Sequence, residues 1–293
     1  MKKILFGIFI LIGSCSGKKP PMNPTAEFQP AERLAELTNK NLKEVSGIAS
    51  SINNPKLLWV INDKGNSAEV FLMDQNLDIK LTCKLEGVEN RDWEDLAVGP
   101  GPDPTKQYLY IADIGDNDGK YKHKYIYRFE EPKVSENQSG QMTITSLDRI
   151  TFQLSDKIKD TESILINPQT KDLYVVSKRE NPVYLYELKY PYSTDDIVTA
   201  NKILSLPFTQ IVAASISTDG SEILMKNYKH IFYWKTSSKK SIGDILKEPA
   251  KEIPYEQEPQ GESITWARDG SGFYTLSEKT PKNKSYLYFY KRK

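Results

Sequence analysis

The chain is poor in the residues on which much enzyme chemistry is built. Its 293 residues include two histidines, His123 and His230, and no metal-ligand spacing links them. A His-based zinc site and a Ser-His-Asp triad therefore have no basis here. A G-x-S-x-G nucleophile elbow, a P-loop and a dinucleotide-binding glycine pattern are also missing. Two cysteines, Cys15 and Cys83, are too few for a disulfide framework. Neither sign of charge dominates: the formal net charge is +1, which offers no basic surface to nucleic acid. No apolar run reaches the ~20 residues a membrane-spanning helix needs, and helical spacing is scarce beyond Leu34.

What is present starts with an apolar run from Ile4 to Gly13, preceded by Lys2 and Lys3, the layout of a secretory signal. Its end, Ile12-Gly13-Ser14-Cys15, resembles the lipobox of bacterial lipoproteins, with Ile where Leu is more usual. The resemblance implies a signal peptide over residues 1–14, cleavage before Cys15 and acylation of that cysteine. A plain signal peptide with an incidental cysteine is the alternative. Cleavage removes two lysines, leaves a net charge of −1, and leaves Cys83 with no intrachain disulfide partner. At about 0.8 kcal/mol per buried methylene, two or three acyl chains hold a protein on a membrane almost permanently. The expected location is the bacterial cell envelope. Ser16 after the cysteine points to the outer membrane where the host has one. Residues 15–31, with Pro20, Pro21, Pro24 and Pro30, read as a semi-rigid tether. Cys83 lies in the alternating run "IKLTCKLEG" and reads as a small buried apolar residue.

Residues 32–293 read as one domain in which a segment recurs. "EVSGIAS", "DWEDLAV", "DTESILI", "VAASIST" and "QGESITW" align on apolar pivots at Ile48, Leu96, Ile164, Ile216 and Ile264, at intervals of 48, 68, 52 and 48 residues. A turn follows each pivot, then a second strand such as "LLWVIND" or "YLYIADIG", then a third such as "AEVFLMD" or "SYLYFYK", and a less regular fourth. Four antiparallel strands repeated every 40–50 residues are the mark of a β-propeller, whose blades bury their faces against one another. The fold expected is all-β, a propeller of five recognisable blades, with room in the 68-residue interval for a sixth. The last repeat stops after three strands, so "ERLAELTN" near the N-terminus is expected to supply the fourth and close the ring. A pair of β-sandwiches and an open solenoid compete with this reading. Tyrosine ladders such as "YLYFYK" suit inter-blade packing, or else sugar binding.

"SGIASSINNPKLLWVINDKG", "NRDWEDLAVGP", "YIADIGDN", "DTESILINPQTKDLYVVSKRE" and "QGESITWARDG" resemble a family of secreted bacterial propeller proteins without a firm activity. That family is in turn distantly similar to esterase-like phytase-type and gluconolactonase-type propellers. The resemblance supports the fold far more than any function.

In such a blade the start of strand one and the end of strand two meet at one face of the ring. Two residues before the pivots stand Ser46, Glu94, Glu162, Ala214 and Glu262, and Asn62, Asp63 and Asp113 close second strands. The candidate ligand or metal residues are therefore Glu94, Glu162, Glu262, Asn62, Asp63, Asp113 and Asp116 at a channel mouth. Arg91, Lys178, Arg179 and Lys226 are the charge partners that would make the same ring merely structural. "DIGDNDGK" resembles an acidic calcium loop through Asp113, Asp116 and Asp118, yet lacks EF-hand spacing; a tight turn using Gly115 and Gly119 is the alternative. Two functions follow as expectations. One is a lipid-anchored binding or scaffold module for a small molecule, glycan or protein. The other is a divalent-metal-dependent hydrolase of a lactone, ester or phosphoester, with a cation such as Ca²⁺.

Overall fold

The computed structural model describes residues 27–135, 140–237 and 240–293; the expected signal peptide, Cys15 and most of the expected tether lie outside them. The protein is all-β with one short helix among the described residues. In chain order, β1 (Glu32–Glu36) precedes a first repeat of β2 (Val45–Ser50), β3 (Leu58–Asn62), β4 (Glu69–Met73) and β5 (Ile79–Leu85). The second repeat has β6 (Trp93–Pro100), β7 (Gln107–Asp113) and β8 (Lys124–Glu130), then β9 (Gly140–Ile144) and β10 (Asp148–Leu154). The third has β11 (Thr161–Ile166), β12 (Leu173–Ser177), β13 (Val183–Leu188) and β14 (Val198–Leu206). The fourth has β15 (Ala213–Ile216), β16 (Glu222–Lys226), β17 (Ile231–Lys235), α1 (Ile242–Lys247) and β18 (Lys251–Ile253). The fifth has β19 (Ser263–Trp266), β20 (Gly272–Leu276) and β21 (Tyr286–Lys291).

Each repeat is an antiparallel meander, and β1 pairs with β21, so the N-terminal strand completes the last repeat. The first strands touch in a closed cycle: β2 with β6, β6 with β11, β11 with β15, β15 with β19, and β19 with β2. The described extra residues of the 68-residue interval form β9, which pairs in parallel with β5 of the first repeat. A second parallel pairing, β10 with β14, joins the outer edges of the second and third repeats into one eight-stranded sheet.

Alternation explains why whole strands are buried. In β7, Leu109 and Ile111 face a core shared with the first repeat, containing Trp59, Leu72 and Cys83, while Tyr110 and Ala112 face one shared with the third, containing Ile164 and Val175. Successive residues point to opposite faces, so the middle of one strand, Leu109 to Ala112, feeds two cores. Cys83 sits in the first of these cores, fully buried. The strands "YLYFYK" and "VYLYEL" place Tyr290 and Tyr186 in such cores, whereas Tyr286 and Tyr184 lie half-buried at their edges.

One boundary differs from the sequence reading. Phe28, in the stretch read as tether, is 1% exposed and packs against Tyr233 and Phe273 with centroids 5.5 and 5.1 Å away. The folded body therefore includes residues before 32; a large aromatic ring so placed removes much apolar surface from water.

The first strands do not ladder with each other, so their inward backbone groups need side-chain partners. Ser46 Oγ donates to the Trp93 carbonyl at 2.9 Å, Ser50 Oγ to the Trp266 carbonyl at 2.6 Å, and Trp266 N to Ser215 Oγ at 3.2 Å. Asp95 accepts from Leu96 N at 2.8 Å and from Ile164 N at 3.0 Å, joining β6 to β11. The space between these strands is a cavity of about 30 Å³ lined by Ile48, Leu96, Ile164 and Ile216, with Arg268 among its lining residues. Arg268 donates to the carbonyls of Ser50 and Val98, at the C-terminal half of β2 and β6, and so closes that end. No helix among the described residues is long and apolar enough to cross a membrane.

Candidate functional site

The opposite ends of the first strands hold the acidic groups. In β2, β6 and β11 the ladder slips at one residue, between Val45 and Gly47, Trp93 and Asp95, and Thr161 and Ser163. The residues at the three slips are Ser46, Glu94 and Glu162. A bulge leaves its extra residue unpaired and re-aims its side chain, which is how a strand with Trp93 and Leu96 in the core also carries a glutamate to the mouth. Glu262 reaches the same region from the residue before β19.

Two carboxylate groups result. Asp63, Asp92 and Glu94 form one, and Glu94, Asp160 and Glu162 the other, with one oxygen of each residue within 4.8 Å of those of its companions. Glu94 is common to both, is 6% exposed, and has the Glu162 carboxyl as its hydrogen-bond partner. Two carboxyl groups attract only with a proton or a cation between them. Burial first, then the Glu162, Asp63 and Asp92 carboxylates, hold the Glu94 pKa well above the usual carboxylate range. Glu162 has the Lys178 ammonium at 2.8 Å to favour its charged form, yet burial still raises its pKa to about 8. Burial lowers the Lys178 pKa, but Glu162 outweighs it and the net shift is upward. Asp63 is pushed up to about 6, by burial and then by Asp92 and Glu262 against the opposing pull of Lys64.

The remaining members are held from several repeats. Glu262 accepts from the Tyr228 hydroxyl at 2.6 Å, and its charge acts on Glu162, Asp63 and Glu278. Glu278 is raised to about 7 by burial and then by Glu262. Asp160 accepts from Arg179 Nε at 2.7 Å and from Asp116 N at 2.8 Å. Asp92 accepts from Lys64 Nζ at 3.0 Å. Gly115 backs the pocket: a Cβ there would stand 2.1 Å from Glu94 Oε1 and 2.6 Å from Asp92 Oδ2. The glycine of "DIGDN" is thus required by close approach of the backbone to two carboxyls.

Other candidates from the sequence are turned elsewhere. Asn62 donates from its amide to the Asn41 carbonyl at 2.7 Å and fastens the loop before β2. Asp113 lies 3.3 Å from Arg91 Nε and accepts from Asp92 N at 3.2 Å, one layer behind the acidic groups. Arg91 stacks between Tyr121 and Tyr125, at 4.2 and 4.7 Å from their centroids. Asp116 spends its carboxylate on Lys120 N and Tyr121 N at 2.7 and 2.8 Å, and Asp118 pairs with Lys120 on the surface. "DIGDNDGK" is therefore a self-closing turn, with Gly119 at φ +65, and its aspartates do not converge as calcium ligands. Lys226 is fully buried and donates to the Gly261 carbonyl, with Glu258 its foremost opposite charge and Glu262 the next.

Asp92, Asp160 and Lys64 were not singled out by sequence reasoning. A signal for the two aspartates was available, since "DWE" and "DTE" carry the same D-x-E ahead of the pivot. No family model matches the chain, and no curated protein matches it significantly.

Proposed function

We propose that the protein is a five-bladed β-propeller that binds a hard divalent cation such as Ca²⁺ in the acidic mouth of its channel, and through it a polar ligand. The closed cycle of contacts among β2, β6, β11, β15 and β19 supports five blades. The observation that carries the cation reading is Glu94, whose buried carboxyl faces carboxyls on both sides and, among the described residues, has no ion-pair partner of its own. Oxygen-only donors suit Ca²⁺ or Mg²⁺ rather than zinc or copper. Asp63, Asp92 and Glu94 would hold the ion, with Glu162 and Asp160 adjoining. The far end of the channel is closed by Arg268, so a ligand meets this site from one face.

The resemblance of Ile12 to Cys15 to a lipobox supports a lipid-anchored protein of the cell envelope, presenting this face to a small molecule, glycan or protein. The test is metal content and thermal unfolding of the purified, chelator-treated protein. Ca²⁺ should raise the unfolding temperature of wild type, as any ligand specific to the native state does. Absence of a response to Ca²⁺, Mg²⁺ and Mn²⁺ would overturn the reading. A second reading, hydrolysis of a lactone, ester or phosphoester, draws on the Glu94–Glu162 pair, which stores a proton beside the ion's place. A panel of such substrates assayed with and without Ca²⁺ separates the two.

A further inference from the structure

Lys64 reaches the Asp63–Asp92–Glu94 group from the solvent side. Its Nζ donates to Asp92 Oδ1 at 3.0 Å while the side chain stays 47% exposed. The charges that act on it are those of Asp92, Asp63 and Glu94. Those are the three members of the group. Other cations near the acidic groups are placed differently: Lys124, whose charge acts on Asp160 and Glu94, is fully buried and donates to the Ile114 carbonyl. Lys178 is 10% exposed and locked onto Glu162, and Arg179 shares Asp160 with the Asp116 amide. Lys64 instead stands in the turn after β3, next to Gly65 at φ +80, on an unbranched stem able to leave without moving a strand.

We propose that Lys64 is a tethered counter-ion, whose ammonium keeps the place of the divalent cation among Asp63, Asp92 and Glu94 and swings into solvent when that cation binds. The inference rests on the reading of this group as a cation site. An ammonium brings one charge and three N–H donors; Ca²⁺ brings two charges and takes six to eight oxygens. A divalent ion therefore displaces the lysine, whereas Na⁺ and K⁺, with the same charge as the lysine and no tether, do not. The lysine lowers affinity for every cation by the fraction of time it occupies the group, and it excludes monovalent ions. It also keeps the carboxylates from facing one another unneutralised when the ion is absent.

The experiment measures Ca²⁺ binding by calorimetry on the chelator-treated protein, for wild type, Lys64→Met and Lys64→Arg, together with amine-reagent labelling of Lys64 read by mass spectrometry. Lys64→Met should bind Ca²⁺ at least tenfold more tightly than wild type, about 1.4 kcal/mol, and Lys64→Arg should stay close to wild type. Labelling of Lys64 in wild type should rise as Ca²⁺ saturates. Equal or weaker binding by Lys64→Met, or labelling unmoved at saturating Ca²⁺, overturns the counter-ion role while leaving the cation site standing. Silence of all three proteins toward Ca²⁺ overturns the site and the role together. Binding by Lys64→Met alone supports both.

Discussion

Glu94→Gln should stabilise the metal-free protein and remove its response to Ca²⁺. Glu94 and Glu162 have oxygens within 4.8 Å of each other. Two unit charges at that distance and an effective dielectric constant of about 20 repel by about 3.5 kcal/mol. The folded protein relieves part of this by keeping a proton on the pair, which raises the Glu94 pKa through burial and its carboxylate neighbours. A carboxyl that holds its proton more tightly folded than unfolded lowers stability as pH rises, from the unfolded pKa of about 4.3 up to the folded value. Glutamine keeps the size and hydrogen-bonding capacity without that dependence. The variant should match wild type near pH 4 and exceed it by about 2 kcal/mol at pH 8 in EDTA, about 4 °C in unfolding temperature. In Ca²⁺ at about 100 times its Kd, wild type should gain about 2.7 kcal/mol and the variant almost nothing, so that the ranking reverses. Thermal unfolding followed by circular dichroism at pH 4, 6 and 8, with EDTA and with Ca²⁺, reads all of this. A Glu94→Gln protein less stable than wild type in EDTA at pH 8 would mean that the carboxylate is a structural element, and the reasoning would be refuted.

Gly115→Ala should disturb the same site, because its methyl group would stand 2.1 Å from Glu94 Oε1; Ca²⁺ stabilisation should fall at least tenfold in apparent affinity, and an unchanged titration would contradict the close approach. Phe28→Ala should cost about 3–5 kcal/mol in a denaturant titration, since the ring is 1% exposed; a loss below 1 kcal/mol would return residue 28 to the tether. Cys83 should resist a thiol reagent at pH 8 until the protein unfolds, as burial pushes its thiol up to about 12. Reaction of the native protein within minutes would count against that burial. Cys15→Ser should move the protein from the membrane to the soluble fraction of cells without changing its unfolding temperature, and a wild-type protein already soluble would end the lipoprotein reading.

Much of the architecture was written in local chemistry. Ile48, Leu96, Ile164 and Ile216 recur because their first strands line the same central cavity, and a recurring environment selects a recurring residue type, while Ile264 packs in the core between the fourth and fifth repeats. The shared offset of Glu94 and Glu162 from their pivots was visible for the same reason, and so was the missing fourth strand that β1 supplies. Sequence alone did not reveal the bulges at those glutamates, because a one-residue slip depends on the partner strand. It could not assign β9 to the edge of the first repeat, or Phe28 to a core between the fourth and fifth, since both depend on contacts with distant parts of the chain. The acidic residues of "DIGDNDGK" looked more like ligands than Asp92 and Asp160 did, yet Asp116 closes its own loop while Asp92 and Asp160 meet at Glu94. Composition and periodicity thus determined the strands, their repeat and the end of the ring to which charge goes. Which carboxylates face each other, and that Lys64 stands among them, was decided by tertiary structure, because electrostatic energy depends on distances between side chains that only the closed ring brings within a few ångströms.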